Sequence, residues 1–211
     1  MSVPVTLLNH DAIRAAAVTR EPFNFFAVPK VLSSENLADI RDDFPDIRDA
    51  GIFPLSELTY GPAFARLIEA IRAPELEDIL SEKFDVDLSG KPMMITVRGR
   101  CRPKDGRIHP DTESKIVTCL LYLNEPWESS GGRLRLLNSA DDIDDVITEI
   151  PPNGGTLVAF RRADNSFHGH KPYDGPRRYV MFNWITSEAA LAREIGRHKL
   201  SAKLKRLNPF V

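Results

Sequence analysis

Between His109 and Trp184 the chain alternates apolar runs of strand length with turns rich in Gly, Pro and Asp. Ile116 to Leu123 (IVTCLLYL) is apolar on both faces, as a central strand covered on both sides must be. Thr156 to Phe160 (TLVAF) reads as another buried strand, introduced by the turn Pro151-Pro152-Asn153-Gly154-Gly155. Arg133 to Leu137 follows the Gly131-Gly132 turn, Met93 to Val97 is β-like, and Arg178 to Ile185 reads as the last strand. Short strands at this spacing point to an antiparallel sandwich or jelly roll.

The flanks are helical. Ser33 can cap a helix that carries Leu37, Ile40 and Phe44 on one stripe and stops at Pro45, with Leu32 and Leu37 as its hydrophobic staple. Asp39, Asp42, Asp43 and Asp46 are expected on its solvated face. Phe64, Leu67, Ile68 and Ile71 write a second helix, and Pro74 can start a third with Leu76, Ile79 and Leu80. Phe23, Phe25 and Phe26 form an extended apolar segment ahead of them. From Ser187 to Leu207 the chain is helical again, with Lys203, Lys205 and Arg206 near its end and a change of apolar face around Gly196 to Leu200 that allows two helices. No flexible linker separates these parts. A single domain over residues 1–211 is expected: helical support over 1–90, a core over 91–186 and a tail over 187–211.

Composition excludes several classes. With 211 residues, 42% apolar and 27% charged, the chain has the makings of one sizeable core. A net charge of −2 gives no reason to expect nucleic acid or an anionic membrane as a partner. No apolar run approaches the ~18 residues that span a bilayer. Met1 to Pro4 do not read as the start of a secretory signal. Two cysteines, Cys101 and Cys119, make neither a disulfide framework nor a zinc site, and Cys119 is expected to be a buried thiol in a reducing cytoplasm. His10 and His198 have no partners in sequence and read as surface histidines.

The segment His109-Pro110-Asp111 carries chemistry. On a strand, residues i and i+2 point the same way, so His109 and Asp111 can converge on one ion while Pro110 points away. A proline cannot donate to a ladder, which puts the motif at a strand end. A third ligand must come from elsewhere, and His168 is the candidate. Two imidazoles and one carboxylate on one face of an ion leave positions open, the arrangement of non-heme Fe(II) oxygenases.

The ordered run of motifs resembles the 2-oxoglutarate and Fe(II)-dependent dioxygenases, particularly their prolyl-4-hydroxylase-like branch. The residues that carry the resemblance are His109-Pro110-Asp111, Val117 to Asn124 with Trp127, Gly131-Gly132, and Pro152 to Phe160. After them come Ser166-Phe167-His168-Gly169-His170-Lys171-Pro172, then Arg178-Tyr179 and Trp184. The resemblance covers roughly residues 91–186. It implies an α+β fold with a mainly β core: a double-stranded β-helix (jelly roll), helices packed on its sheet and a C-terminal helix. It also implies Fe(II), 2-oxoglutarate as cosubstrate and O2, with ascorbate as a possible support. The partner is then a small-molecule or peptide substrate, either a peptidyl proline or a small metabolite. The rival reading is a non-catalytic jelly roll that uses the same pocket to bind a ligand.

Residue roles follow from the resemblance together with strand parity. His168 with Pro172 fits the family's distal ligand, and His170 then stands near the substrate or behind the ligands. Arg178, Val180, Phe182 and Trp184 share a mostly apolar face, expected to be the barrel interior. Arg178 is therefore expected to hold the far carboxylate of 2-oxoglutarate, with Arg177 at the surface. Tyr122 is expected to offer its phenol to the same carboxylate, its alternative being a core tyrosine. Phe182 stands where relatives often carry a small hydroxylic residue, which removes one expected contact. Arg98, Arg100 and Arg102 are either a basic rim at the substrate entrance, Arg100 in particular, or solvated strand ends.

Overall fold

The computed structural model describes residues 6–207, with side chains as far as Arg197. The front of the chain holds α1 (His10–Ala15), β1 (Phe25–Val28), α2 (Ser34–Asp42) and β2 (Phe53–Pro54). Next come α3 (Pro62–Arg72) and α4 (Pro74–Phe84). The core strands are β3 (Met93–Cys101), β4 (Lys115–Tyr122), β5 (Leu134–Leu137), β6 (Val146–Ile150), β7 (Leu157–Arg161), β8 (His168–Gly169) and β9 (Gly175–Ile185). One helix, α5 (Glu188–Leu207), closes the chain.

The strands make two antiparallel sheets, a large one in the order β1-β7-β4-β9-β3-β2 and a small one in the order β6-β5-β8. The large sheet has two different faces. Val97, Val117, Cys119, Leu121, Val180, Phe182 and Trp184 point to one side and join a core with α2, α3 and α4. Leu120, Tyr122, Val158, Phe160, Tyr179 and Met181 point to the other and meet Leu134, Leu136 and Ile150 of the small sheet. The space between the two sheets is the barrel interior.

The helices obey their local signals. The Ser33 hydroxyl accepts the Asn36 N–H at 3.1 Å at the start of α2. The helix stops at Asp42, short of Pro45, and the Asp43 carboxylate leaves the solvated face to accept the Ala63 N–H of α3 at 2.6 Å. Both α3 and α4 place a proline in their first turn, where no intrahelical donor is lost. Their apolar stripes are the ones expected: Phe64, Leu67, Ile68 and Ile71 from α3, and Leu76, Ile79 and Leu80 from α4. The Phe23-to-Phe26 segment supplies β1, which pairs with β7.

Some expectations are corrected. His10 is buried, with Nδ1 2.9 Å from Glu75, because α1 packs on α4. The tail is one helix across Gly196, and the side chains of His198, Lys203, Lys205 and Arg206 lie outside the described residues. Met1 to Pro4 lie outside them as well. Both cysteines are free and buried. No helix among the described residues is long and apolar enough to cross a membrane.

Two irregularities in the large sheet shape the interior. The β3–β9 register shifts between Arg98 and Arg100, and the β4–β9 register shifts between Lys115 and Val117. A bulge of this kind turns a side chain to the opposite face of its sheet. Arg98 keeps the interior parity of Thr96 and is buried. Arg100 is turned outward, where it pairs with Asp174 at 2.8 Å. Lys115 shares sequence parity with the helix-facing Val117 and Cys119 but reaches the interior instead.

Candidate metal and cosubstrate centre

His109, Asp111 and His168 come together in the fold. One ligand atom from each lies within 4.8 Å of the other two. The backbone makes this meeting: the His109 N–H donates to the His168 carbonyl and the His168 N–H to the His109 carbonyl, both at 3.1 Å. The two rings lie 4.4 Å apart between centroids. His109 Nδ1 lies 2.8 Å from the Arg107 carbonyl and His168 Nδ1 lies 3.0 Å from the Ser166 carbonyl. A carbonyl can only accept, so each Nδ1 carries the proton and each Nε2 keeps its lone pair for a metal.

Asp111 is held from two sides. Lys115 Nζ donates to Oδ1 at 2.6 Å and the Thr118 hydroxyl donates to Oδ2. Asn183, the cross-strand neighbour of Thr118, donates in turn to the Thr118 oxygen at 2.7 Å. Burial works against ionisation of Asp111, but Lys115, His168 and the two hydrogen bonds outweigh it and hold the carboxyl at about 2. Burial, helped by His109 and Lys115, pushes His168 down to about 4 despite the opposing pull of Asp111. Both side chains therefore stand in their ligating forms at neutral pH, an anionic carboxylate and a neutral imidazole.

Lys115, Thr118 and Asn183 were not read as site residues from the sequence. Thr118 had a signal: it is the hydroxyl in an otherwise apolar strand, two residues from Leu120 and four from Tyr122 on the interior face. Lys115 had none, because the bulge that turns it inward is a tertiary feature.

His109, Asp111 and His168 line a cavity of about 260 Å³ together with Arg98, Lys115, His170, Arg177, Tyr179 and Met181. At its far side Arg177 is 2% exposed. Its Nε donates to the Gly132 carbonyl at 2.7 Å and its Nη2 reaches the Tyr122 hydroxyl at 3.4 Å. The guanidinium also lies 5.4 Å from the Tyr122 ring and 5.2 Å from the Tyr179 ring. All these partners are neutral, and among the described residues no carboxylate faces Arg177. A buried guanidinium so placed has one good complement, an anion that enters the cavity. Tyr122 is fully buried behind it; burial raises its phenol to about 12, against the opposing effect of Arg177, so the hydroxyl stays a neutral donor.

Arg178, the arginine expected here, lies on the other face of β9. It is exposed, its guanidinium sits 5.3 Å over the Phe44 ring, and it lines a separate open groove of about 430 Å³ with Arg41, Trp127 and Tyr173. The parity was right and the assignment of faces was inverted. The apolar face of β9 is the one that the helices cover, and the mixed face is the interior because it holds the site. Phe182 follows Arg178 to the helix side and so stands at no carboxylate contact.

His170 lines the cavity. Its Nδ1 lies 2.8 Å from the Lys171 carbonyl, and burial, reinforced by Arg177, pushes the ring down to about 4. Gly106 packs beneath it: a Cβ there would lie 2.4 Å from the imidazole, and its φ of +83° suits glycine. Arg100 stays outside, and Arg98 takes the interior place, with Nη1 2.7 Å from Asp105.

Residues 100–186 match the family model of the 2OG-Fe(II) oxygenase superfamily. No curated protein sequence matches the chain significantly. Among solved structures, the fold is similar to a prolyl-4-hydroxylase of Pseudomonas putida, with TM-score 0.55 and 18% identity over 79% of this chain and 94% of that one. It is also similar to the viral collagen prolyl hydroxylase of Paramecium bursaria Chlorella virus-1, with TM-score 0.53 and 18% identity over 76% and 94%. A third is HygX of Streptomyces hygroscopicus, solved with nickel and 2-oxoglutarate bound, with TM-score 0.51 and 16% identity over 82% and 88%. The match to the 2OG-Fe(II) oxygenase superfamily model thus falls on the residue 100–186 core, where two imidazoles and a carboxylate converge beside a buried arginine.

Proposed function

We propose that the chain is an Fe(II)- and 2-oxoglutarate-dependent hydroxylase of a small molecule or of a single residue presented to its cavity. His109, Asp111 and His168 hold the iron, and Arg177 with Tyr122 receives the far carboxylate of 2-oxoglutarate. When bound, the iron and its cosubstrate supply the oxidising chemistry: 2-oxoglutarate, O2 and a substrate C–H become succinate, CO2 and a C–OH. The chain's own work is orientation and exclusion of water. The Arg107 and Ser166 carbonyls fix the tautomers of His109 and His168. Thr118 and Lys115 fix the rotation of Asp111. Arg177 and Tyr122 set how far the cosubstrate reaches.

The observation that carries this reading is the placement of an uncompensated buried arginine in the same cavity as the three ligand atoms. The cavity of about 260 Å³ falls below the ~300–1,000 Å³ of drug-sized sites, which favours a small metabolite or one side chain over an extended ligand. A peptidyl proline stays in view through the similar prolyl hydroxylases. Two free buried thiols suit a reducing compartment, for which the cytoplasm is our reading.

The test is turnover by the purified chain with Fe(II), ascorbate and 2-oxoglutarate under air. Slow succinate formation without prime substrate is expected. Binding of both ligands without any succinate would favour the non-catalytic jelly roll. Failure of both Fe(II) and 2-oxoglutarate to bind by calorimetry would end the enzyme reading.

A further inference from the structure

A second arginine lines the cavity, and the proposed function leaves it without a task. Arg98 is 9% exposed and packs on Tyr179, its guanidinium 5.9 Å from the ring that also faces Arg177 at 5.2 Å. Tyr179 thus stands between two buried cations. Of the Arg98 nitrogens, only Nη1 has hydrogen-bond partners among the described residues: Asp105 at 2.7 Å and the Cys101 thiol at 3.2 Å. Nε is buried and has none. The single carboxylate on Arg98 is also shared, since Asp105 accepts the Arg102 N–H at 3.0 Å from the same oxygen. A guanidinium carries five donors, and leaving them unmade in a buried place costs free energy unless a ligand takes them.

Charge points the same way. Arg98 is set against Asp105, and Arg197 against Glu194 at the cavity mouth. Lys115 is set against Asp111. Fe(II) adds two positive charges, 2-oxoglutarate two negative ones, and Arg177 one more positive charge. With ligating imidazoles neutral, the loaded cavity keeps one positive charge in surroundings that solvate it poorly.

We infer that Arg98 forms a second anion subsite in this cavity and that the prime substrate is a small monocarboxylate. The inference rests on the dioxygenase reading for its charge balance and on Arg98 alone for its geometry. The planar fork of a guanidinium matches a carboxylate, and a carboxylate on Arg98 lies across Tyr179 from the arginine that takes the cosubstrate. A peptidyl proline inside a chain has no such group, so the subsite selects a free acid or the C-terminal residue of a peptide.

The experiment is calorimetry on the anaerobic protein loaded with Fe(II) and 2-oxoglutarate. The probes are N-acetyl-L-proline, N-acetyl-L-leucine and butyrate, each compared with its primary amide. At least one acid should bind about tenfold or more tightly than its amide, a difference of ~1.4 kcal/mol. Arg98→Met should erase that preference while 2-oxoglutarate affinity stays within about twofold, given that Arg177 is untouched. Arg98→Lys keeps the charge and should keep part of the preference; it serves if the methionine variant does not fold, and the acid–amide ratio of the wild type stands without any variant. The inference is overturned if no acid binds, if amides bind as well as acids, or if Arg98→Met weakens 2-oxoglutarate as much as Arg177→Met does. If the wild type takes up neither Fe(II) nor 2-oxoglutarate, the dioxygenase reading falls by itself. An acid preference that persists in the metal-free protein and disappears in Arg98→Met would then still support the subsite.

Discussion

Arg177 Nη2 lies 3.4 Å from the phenol oxygen of Tyr122, inside the barrel and away from any carboxylate of the described chain. The pair joins β9 to β4, so the anchor we propose for the cosubstrate is built across two adjacent central strands. Arg177→Met should weaken 2-oxoglutarate binding about a hundredfold, since charge-assisted hydrogen bonds contribute roughly 1.5–3 kcal/mol. Arg178→Met should leave it within about twofold. Calorimetry on the two variants decides between adjacent residues, and the reverse ranking would return the role to Arg178.

Tyr122→Phe removes one neutral donor and leaves the ring that packs on Arg177. A loss of about 1 kcal/mol, roughly fivefold in 2-oxoglutarate affinity, is expected. An unchanged affinity would make Tyr122 a core residue that only braces the arginine.

Asp111→Ala and His168→Ala should each abolish Fe(II) binding, and His170→Ala should retain it. Retained binding in His168→Ala would move the ligand to His170. In the wild type, Fe(II) at about a hundred times its dissociation constant should stabilise the fold by ~2.7 kcal/mol, and thermal unfolding with and without a chelator would show it.

Lys115→Met leaves Asp111 buried without its cation. Breaking a buried pair in this way costs roughly 3–5 kcal/mol, so the metal-free variant should melt well below the metal-free wild type. Saturating Fe(II) supplies the missing positive charge and should recover most of the difference. A loss of the same size with and without metal would mean that Lys115 acts through packing alone.

Acid should loosen α5 from the site. Thr112 and Ser114, next to the metal motif, donate to Glu194 at 3.1 and 2.7 Å, and Arg197 pairs with it. Burial opposes ionisation of Glu194, yet the bonds from Ser114 and Arg197 prevail and lower its carboxyl below the usual 4.5. A depressed carboxyl contributes stability above its unfolded value and loses it as pH falls through the folded one. Glu194→Gln should therefore flatten the stability profile below about pH 4.5, read by denaturant midpoints across that range. An acid limb identical to the wild type would discount this contact.

Much of this arrangement is legible in the residues. The double-sided apolarity of Ile116 to Leu123 marks a central strand, and that strand is β4 between β7 and β9. Ser33 announces α2, and the two prolines announce α3 and α4. His109 and Asp111 share a strand face by simple parity, and His168 reaches them because β8 lies beside their segment. Less legible was β6, which follows an acidic loop and whose residues are only half-buried, apart from Ile150.

The sequence by itself determined the central strands, helices α2, α3 and α4 and the residue types able to hold a metal, because these depend on local spacing and on the number of apolar neighbours. Only the tertiary structure decided which arginine faces the cavity. Alternation along β9 separates Arg177 from Arg178 without saying which side is inside, and the more apolar side proved to be the one under the helices. It also decided that Lys115 reaches Asp111 and that Arg98, not Arg100, enters the cavity. Both outcomes come from bulges, where one unpaired residue reverses the face of all that follows, and a bulge is set by the strand next door.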